Sequence, residues 1–205
     1  MEIDHVLLAT RDLSEAAREL EARHGLRSIA GGRHPGWGTE NRIVPLGDAY
    51  LELVAVASLE EARDSAFGQW VARAGSHLLR PLGWAVRPVD LDEVARRHGL
   101  AVTSGARVTP TGERLAWRTA GVDRAATEPS LPFFIEWDPE SRFPGSADSD
   151  VRGRLVRLAL EGDPPRLASW LGGHALPLEV RLGAPAVVAV TVRTPAGETV
   201  VEAVG

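Results

Sequence analysis

One helix-sized stretch occurs twice in this chain, and the recurrence limits what the chain can fold into. Asp12-Leu13-Ser14-Glu15-Ala16-Ala17-Arg18 returns as Asp90-Leu91-Asp92-Glu93-Val94-Ala95-Arg96. Each copy closes alike, with Arg23-His24-Gly25-Leu26 in the first and Arg97-His98-Gly99-Leu100 in the second. The second copy is shorter by about one helical turn. Asp at the N-cap and Gly just past the end mark both copies as capped helices. An apolar strand precedes each, Ile3 to Thr10 and then Gly83 to Val89, and strand-like segments follow each. The pattern predicts two copies of a strand–helix–strands unit.

The composition narrows the chemistry. With 205 residues the chain has ample length for one or two domains with a real core. A net charge of -5 gives no electrostatic footprint for nucleic acid, so no nucleic-acid partner is expected. Cysteine is absent, which removes disulfides and thiolate chemistry, and lysine is absent too. Schiff-base chemistry is thereby excluded, and any anionic ligand must be held by Arg, His or backbone N–H groups. A strand begins within three residues of the N-terminus, leaving no room for a signal peptide, and no apolar run has membrane-helix length. The expectation is a cytoplasmic protein without a membrane partner.

Along the chain, Ile3 to Thr10 alternates as a strand, which puts Ile3, His5 and Leu7 on one side. A helix from Leu13 to His24 follows. Gly31 to Asn41 then reads either as a glycine-rich functional loop carrying His34, Trp37, Thr39 and Asn41 or as a decorated turn between two strands. Arg42 to Leu46 is a short strand interrupted by Pro45, an edge strand or a strand end, and Tyr50 to Val56 is an apolar strand with Glu52 in its middle. Leu59 to Ala74 is a helical connector that Gly75 ends. In the second unit, Ala101 to Val108 and Leu115 to Thr119 read as strands, Asp123 to Ser130 as a loop, and Phe133 to Trp137 as the closing strand. Pro139 to Ser149 is a linker. Beyond it come a strand (Leu155 to Leu160), a helix (Pro164 to Leu171) and three strands that read as antiparallel.

The two closing strands look alike: Tyr50-Leu51-Glu52-Leu53 and Phe134-Ile135-Glu136-Trp137 both run aromatic, aliphatic, Glu, apolar. A Glu in an apolar strand is costly unless it is paired, ligated or open to a cavity. His5, Glu52 and Glu136 therefore form a candidate site for a divalent cation. His34 can complete it if its loop folds over. The matching strand of the second unit offers Gly83 and Trp84, neither a metal ligand. His24 and His98 sit at helix C-termini, where an imidazolium favours the dipole, and read as structural.

These stretches resemble the vicinal oxygen chelate superfamily, and within it the glyoxalase-like domain proteins. The likeness rests on Ile3-Asp4-His5-Val6, Asp12-Leu13, Arg33 to Thr39, Tyr50 to Leu53 and Glu136-Trp137. It implies an α+β fold of paired βαβββ modules curled into a cup, as in glyoxalase, bleomycin-resistance and dihydroxybiphenyl dioxygenase-like proteins. Module one spans 1–57, a connector 58–82 and module two 83–140, with an extra C-terminal βα-ββ unit over 150–205 as a third, degenerate module. The metal enzymes of that superfamily carry His or Gln on a module's first strand and Glu on its last. His5, Glu52 and Glu136 match as ligands for Ni, Mn, Fe or Zn, if any metal is used. Glu136 and His34 are then the catalytic candidates, and Trp37, Thr39, Asn41, Trp84 and Trp117 the substrate-binding ones.

Three functions stay open. One is a metal-assisted lyase or dioxygenase acting on a small carbonyl or aromatic compound. The second is a metal-free binding protein of the drug-sequestration type, with an aromatic-lined cup. The third is a structural or assembly module. A small-molecule ligand is the expected partner, and a homodimer is compatible with the sequence.

Overall fold

Both repeated stretches form the helices their caps announce. In the computed structural model, which describes residues 1–74, 76–147 and 153–205, α1 runs Leu13–His24 and α4 runs Leu91–His98. Asp12 accepts hydrogen bonds from the Ser14 and Glu15 N–H groups, and Asp90 accepts one from Glu93. Gly25 and Gly99 end the helices in the left-handed region, at φ 67° and 63°. Gly75, which ends the connector, and the last two residues of the Pro139–Ser149 linker lie outside the described residues.

Module one comprises β1 (Glu2–Ala9), α1, β2 (Ile29–His34), β3 (Thr39–Pro45) and β4 (Tyr50–Val56). The connector folds as α2 (Leu59–Arg63) and α3 (Ala66–Ala74). Module two comprises β5 (Arg80–Arg87), α4, β6 (Val102–Val108), β7 (Arg114–Ala120), a short α5 (Val122–Thr127) and β8 (Phe133–Trp137). The eight strands make one mixed sheet in the order β2-β3-β4-β1-β5-β8-β7-β6. In each module the first and last strands pair in parallel, β1 with β4 and β5 with β8, and the antiparallel β1–β5 pair joins the halves. The edge strands β2 and β6 meet, so the sheet curls almost closed.

Closure requires glycine at one point. A Cβ on Gly32 would lie 2.5 Å from the Val108 carbonyl oxygen, so β2 approaches β6 that closely only without a side chain there.

The convex face packs against α1, α4 and the C-terminal unit, burying Val6, Leu20, Trp84, Val94 and Phe134 with Leu158, Trp170 and Val190. The concave face holds a second core, in which α3 and α5 bring Phe67, Trp70, Val71 and Ala125 onto Leu7, Val54, Ala85 and Ile135. These helices plug part of the cup. What remains open is the site described below.

One open alternative is decided and three expectations change. The glycine-rich segment is a hairpin, β2 and β3 around a tight turn in which Trp37 N–H donates to the His34 carbonyl. The loop read over Asp123 to Ser130 contains α5. A β-bulge at Asp4, between Ile3 and His5, breaks the alternation, so Ile3 joins the convex core while Leu7 and Ala9 join the concave one. The C-terminal strands β9 (Arg154–Gly162), β10 (Leu178–Leu182), β11 (Ala186–Thr194) and β12 (Gly197–Glu202), with α6 (Pro164–Trp170), form a sheet ordered β10-β9-β11-β12. There β10 lies parallel beside β9, whereas in the modules the strand after the helix lies three places away. The unit is therefore not a topological copy of βαβββ.

Candidate active site

The bulge at Asp4 makes the site possible. Neighbouring side chains of a regular strand point to opposite faces. With the extra residue, the adjacent Asp4 and His5 meet, Asp4 Oδ1 lying 2.6 Å from His5 Nδ1. Asp4 is fully buried, and its other oxygen accepts from Arg87 Nη1 and Trp137 Nε1, both at 3.0 Å. Both donors belong to module two. The carboxylate thus ties the modules together and fixes the His5 ring, directing Nε2 away from Asp4 to within 3.6 Å of Glu52 Oε2.

Glu52 is held from its other side. Asn41 Nδ2 donates to Glu52 Oε1 at 2.8 Å and lies 3.2 Å from His34 Nε2. The orientation of that amide follows from Asn41 Oδ1, which accepts the Gly32 N–H at 2.9 Å. A Cβ on Gly31 would sit 1.9 Å from Asn41 Oδ1, so glycine is needed there as well. With Asn41 donating to Nε2, the proton of neutral His34 resides on Nδ1 and is donated to Thr39 Oγ1 at 2.9 Å. Burial, aided by the Arg107 and His5 charges and opposed by Glu52, lowers the His34 pKa to about 4. His34 is therefore neutral at pH 7, with both ring nitrogens engaged.

Around this polar line the walls are aromatic. Tyr50 stacks on His5 with centroids 4.7 Å apart, and Phe133 meets the same ring edge-on. Trp37 packs on Phe67 and Trp117, and Trp117 meets His34 at 5.9 Å. Burial, with the Asp4 and Glu52 charges, raises the Tyr50 pKa well above its ordinary value, so its phenol keeps its proton. Between these rings the cavity is small, about 30 Å³.

The fold and this cup correspond to a known family. The model of the glyoxalase-like domain family matches residues 3–176. The chain belongs to the glyoxalase-like domain family. Its fold is that of the vicinal oxygen chelate superfamily. Among solved structures, a hypothetical protein from Staphylococcus aureus superposes with a TM-score of 0.70 at 13% identity, over 94% of this chain and 91% of that one. Methylmalonyl-CoA epimerase from Mycobacterium tuberculosis aligns at 18% identity over 67% of this chain and 87% of its own, with a TM-score of 0.46. A variant of the Streptomyces coelicolor methylmalonyl-CoA epimerase, in complex with 2-nitronate-propionyl-CoA, aligns at 20% identity over 70% of this chain and 99% of its own, with a TM-score of 0.47. No curated protein matches the sequence.

Within this glyoxalase-like cup the candidate residues divide. His5, Glu52, His34, Trp37, Asn41 and Trp117 all border the cavity. Thr39 is buried behind it and holds His34. Glu136 is on the other face of the sheet, its carboxylate bound by Arg118 Nε at 2.9 Å, and the same guanidinium bridges to Asp92 of α4. Strand register explains the displacement. Leu7 pairs with Glu52, and its module-two counterpart Ala85 (five residues before the helix cap, as Leu7 is) pairs with Phe133. Phe133, not Glu136, occupies the Glu52 position, and an offset of three residues reverses the face. Trp84 also points to the convex side, fully buried, with its indole N–H on the Ser130 carbonyl. His24 and His98 are not favoured as imidazolium: burial lowers both pKa values.

The metal of the superfamily finds too few donors. The His5 counterpart is Gly83, where a Cβ would lie 2.2 Å from the Trp70 ring, and the Glu52 counterpart is Phe133. His34 Nε2 faces the Asn41 amide. That leaves His5 Nε2 and one Glu52 oxygen facing the cavity, short of the three protein ligands of a catalytic zinc site. Among the described residues no cluster of three or more His, Asp or Glu is arranged to hold a metal ion. The same residues also hold no helix long and apolar enough to cross a membrane.

Sequence reading missed Tyr50, Phe67, Phe133 and Arg107 as cavity residues. Tyr50 and Phe133 were accessible through strand alternation from Glu52 and the paired register. Nothing in the sequence marks Arg107, since β6 is otherwise a polar edge strand.

Proposed function

We propose that this glyoxalase-like protein binds a small carbonyl compound in the cup and moves a proton on it without a metal, as an isomerase or lyase of the proton-transfer kind. The observation that carries the reading is the buried line Asp4–His5–Glu52. Asp4 fixes the His5 ring and, for the neutral imidazole, its Nδ1–H tautomer, so that Nε2 serves as the base. Glu52 Oε2, 3.6 Å away, stabilises the imidazolium that results. A proton taken from the carbon beside a carbonyl leaves an enolate, and the protonated Tyr50 phenol at the wall is a donor for its oxygen. Return of the proton at another face or position completes an isomerisation, and expulsion of a leaving group completes an elimination. The aromatic walls exclude water and suit a flat body.

The test is proton exchange. Small aldehydes, ketones and 2-oxo compounds are incubated with the protein in D2O, and loss of the α-proton signal is followed by NMR. At least one compound should exchange, unaffected by chelator, and Glu52→Gln and His5→Asn should each slow it about 100-fold or more. Exchange at the same rate in the parent and both variants would remove the proposal.

A second reading is a metal-free binding protein. It is favoured by the aromatic walls, Trp37, Phe67 and Trp117, which suit a flat ligand whether or not chemistry follows. Binding without exchange would select it. A metal-assisted lyase or dioxygenase has no support in the donor set.

A further inference from the structure

Arg107 comes from the edge strand β6 and turns its guanidinium inward to the cup. It is 4% exposed. It has no ion pair and no hydrogen bond among the described residues, and its Nη1 is fully enclosed without a partner. Gly32 of the facing edge strand lies beside it, where a Cβ would be 3.6 Å from Nη1, in ordinary contact. The carboxylates of the site do have partners: Asp4 is bound by His5, Arg87 and Trp137, and Glu52 by Asn41 at one oxygen. A guanidinium stays charged at all ordinary pH, so it cannot escape the burial by losing a proton. Holding it there unpaired costs stability in the free protein. A partner arriving with the ligand removes that cost.

We propose that the ligand of the cup carries a carboxylate, and that Arg107 is the residue that receives it. The proposal rests on the reading of the cavity as a ligand cup and adds the class of molecule. Two observations choose a single carboxylate over a phosphate. The cavity is small, about 30 Å³, and the Glu52 carboxylate shares it, repelling a dianion more strongly than a monoanion. A planar carboxylate matches the guanidinium fork and slides between rings. The bound molecule then has its acid group at Arg107 and its reacting carbon toward His5 and Glu52, the description of a small oxo acid or aryl acid.

The experiment compares acids with their own amides: acetate with acetamide, propionate with propionamide, benzoate with benzamide. Binding is read by calorimetry and tryptophan fluorescence, in the parent, in Arg107→Met and in Arg107→Gln. At least one acid should bind the parent about thirty-fold more tightly than its amide, and both variants should lose that preference. Without ligand, the melting temperature of Arg107→Met should hold or rise, because an unpaired charge leaves the interior. Equal binding of acid and amide by the parent would overturn the carboxylate assignment and leave the cup reading standing. A marked fall in melting temperature in both variants would show that Arg107 has a structural partner and would also overturn it. Failure of every acid and every amide to bind would bring down the cup reading and this inference together.

Discussion

Module one lines its half of the cup with His5, His34, Asn41 and Glu52, while module two lines its half with Trp117, Phe133 and Ile135 and one charge, Arg107. The two share strand order, helix caps and a parallel pair of first and last strands. They differ where the fold does not care. A concave strand position accepts Glu52 or Phe133 equally as backbone, but the polar residue needs partners and the aromatic needs only space. The His5 position shows the same exchange: its counterpart Gly83 is overlaid by the Trp70 ring. Module two has traded ligand positions for packing. It still supports the site indirectly, through Arg87 and Trp137 on Asp4.

The sharpest break of this comparison is at Asp4, whose counterpart eight residues before the second cap is the apolar Leu82. Asp4→Ala strands the buried ends of Arg87 and His5, and urea unfolding should show a loss of about 3–5 kcal/mol. Leu82→Ala, by contrast, should follow ordinary side-chain truncation, with no effect on the His5 ring signals.

The next effect is acid sensitivity. The folded-state pKa of His34 is lowered to about 4, below the ordinary 6.5, so the unfolded chain binds the proton first. The stability is complete above pH 6.5 and is lost as pH falls from 6.5 toward 4, by about 3 kcal/mol from this group. Unfolding midpoints measured across that window should flatten in His34→Gln.

Smaller again is Gly83→Ala. The added methyl meets the Trp70 ring and should cost about 1–3 kcal/mol by overpacking. Pairing it with Trp70→Phe should recover part of the loss. The smallest effects belong to what the modules share. Asp12→Ala and Asp90→Ala should each loosen one helix, Asp12 the more, because it caps two N–H groups and Asp90 one.

The parts of this molecule that sequence exposes are those with local causes. An N-cap Asp and a terminating Gly act within one turn, so α1 and α4 are readable to the residue. His5 and Glu52 were readable because a polar residue in an apolar strand needs a reason. Glu136 misled, because its neighbours imitate those of Glu52 in type while the pairing register is offset by three. Register depends on β5 and β8, far apart in the chain. The bulge at Asp4 has no sequence mark, and it is what brings Asp4 to His5. Arg107 is silent for a similar reason: an arginine on a polar strand looks solvated until the sheet curls β6 against β2.

The central claim is that the polar chemistry belongs to module one, with Glu52 and not Glu136 joined to the two histidines. Nitrogen-15 NMR of the histidine rings tests it without any ligand. The account predicts that His34 is neutral at pH 7 with its proton on Nδ1, and stays so until pH nears 4. It also predicts that Glu52→Gln shifts the His5 and His34 ring signals while Glu136→Gln leaves both in place. A His34 that titrates near its ordinary value, or ring signals that move with Glu136 and ignore Glu52, would contradict it.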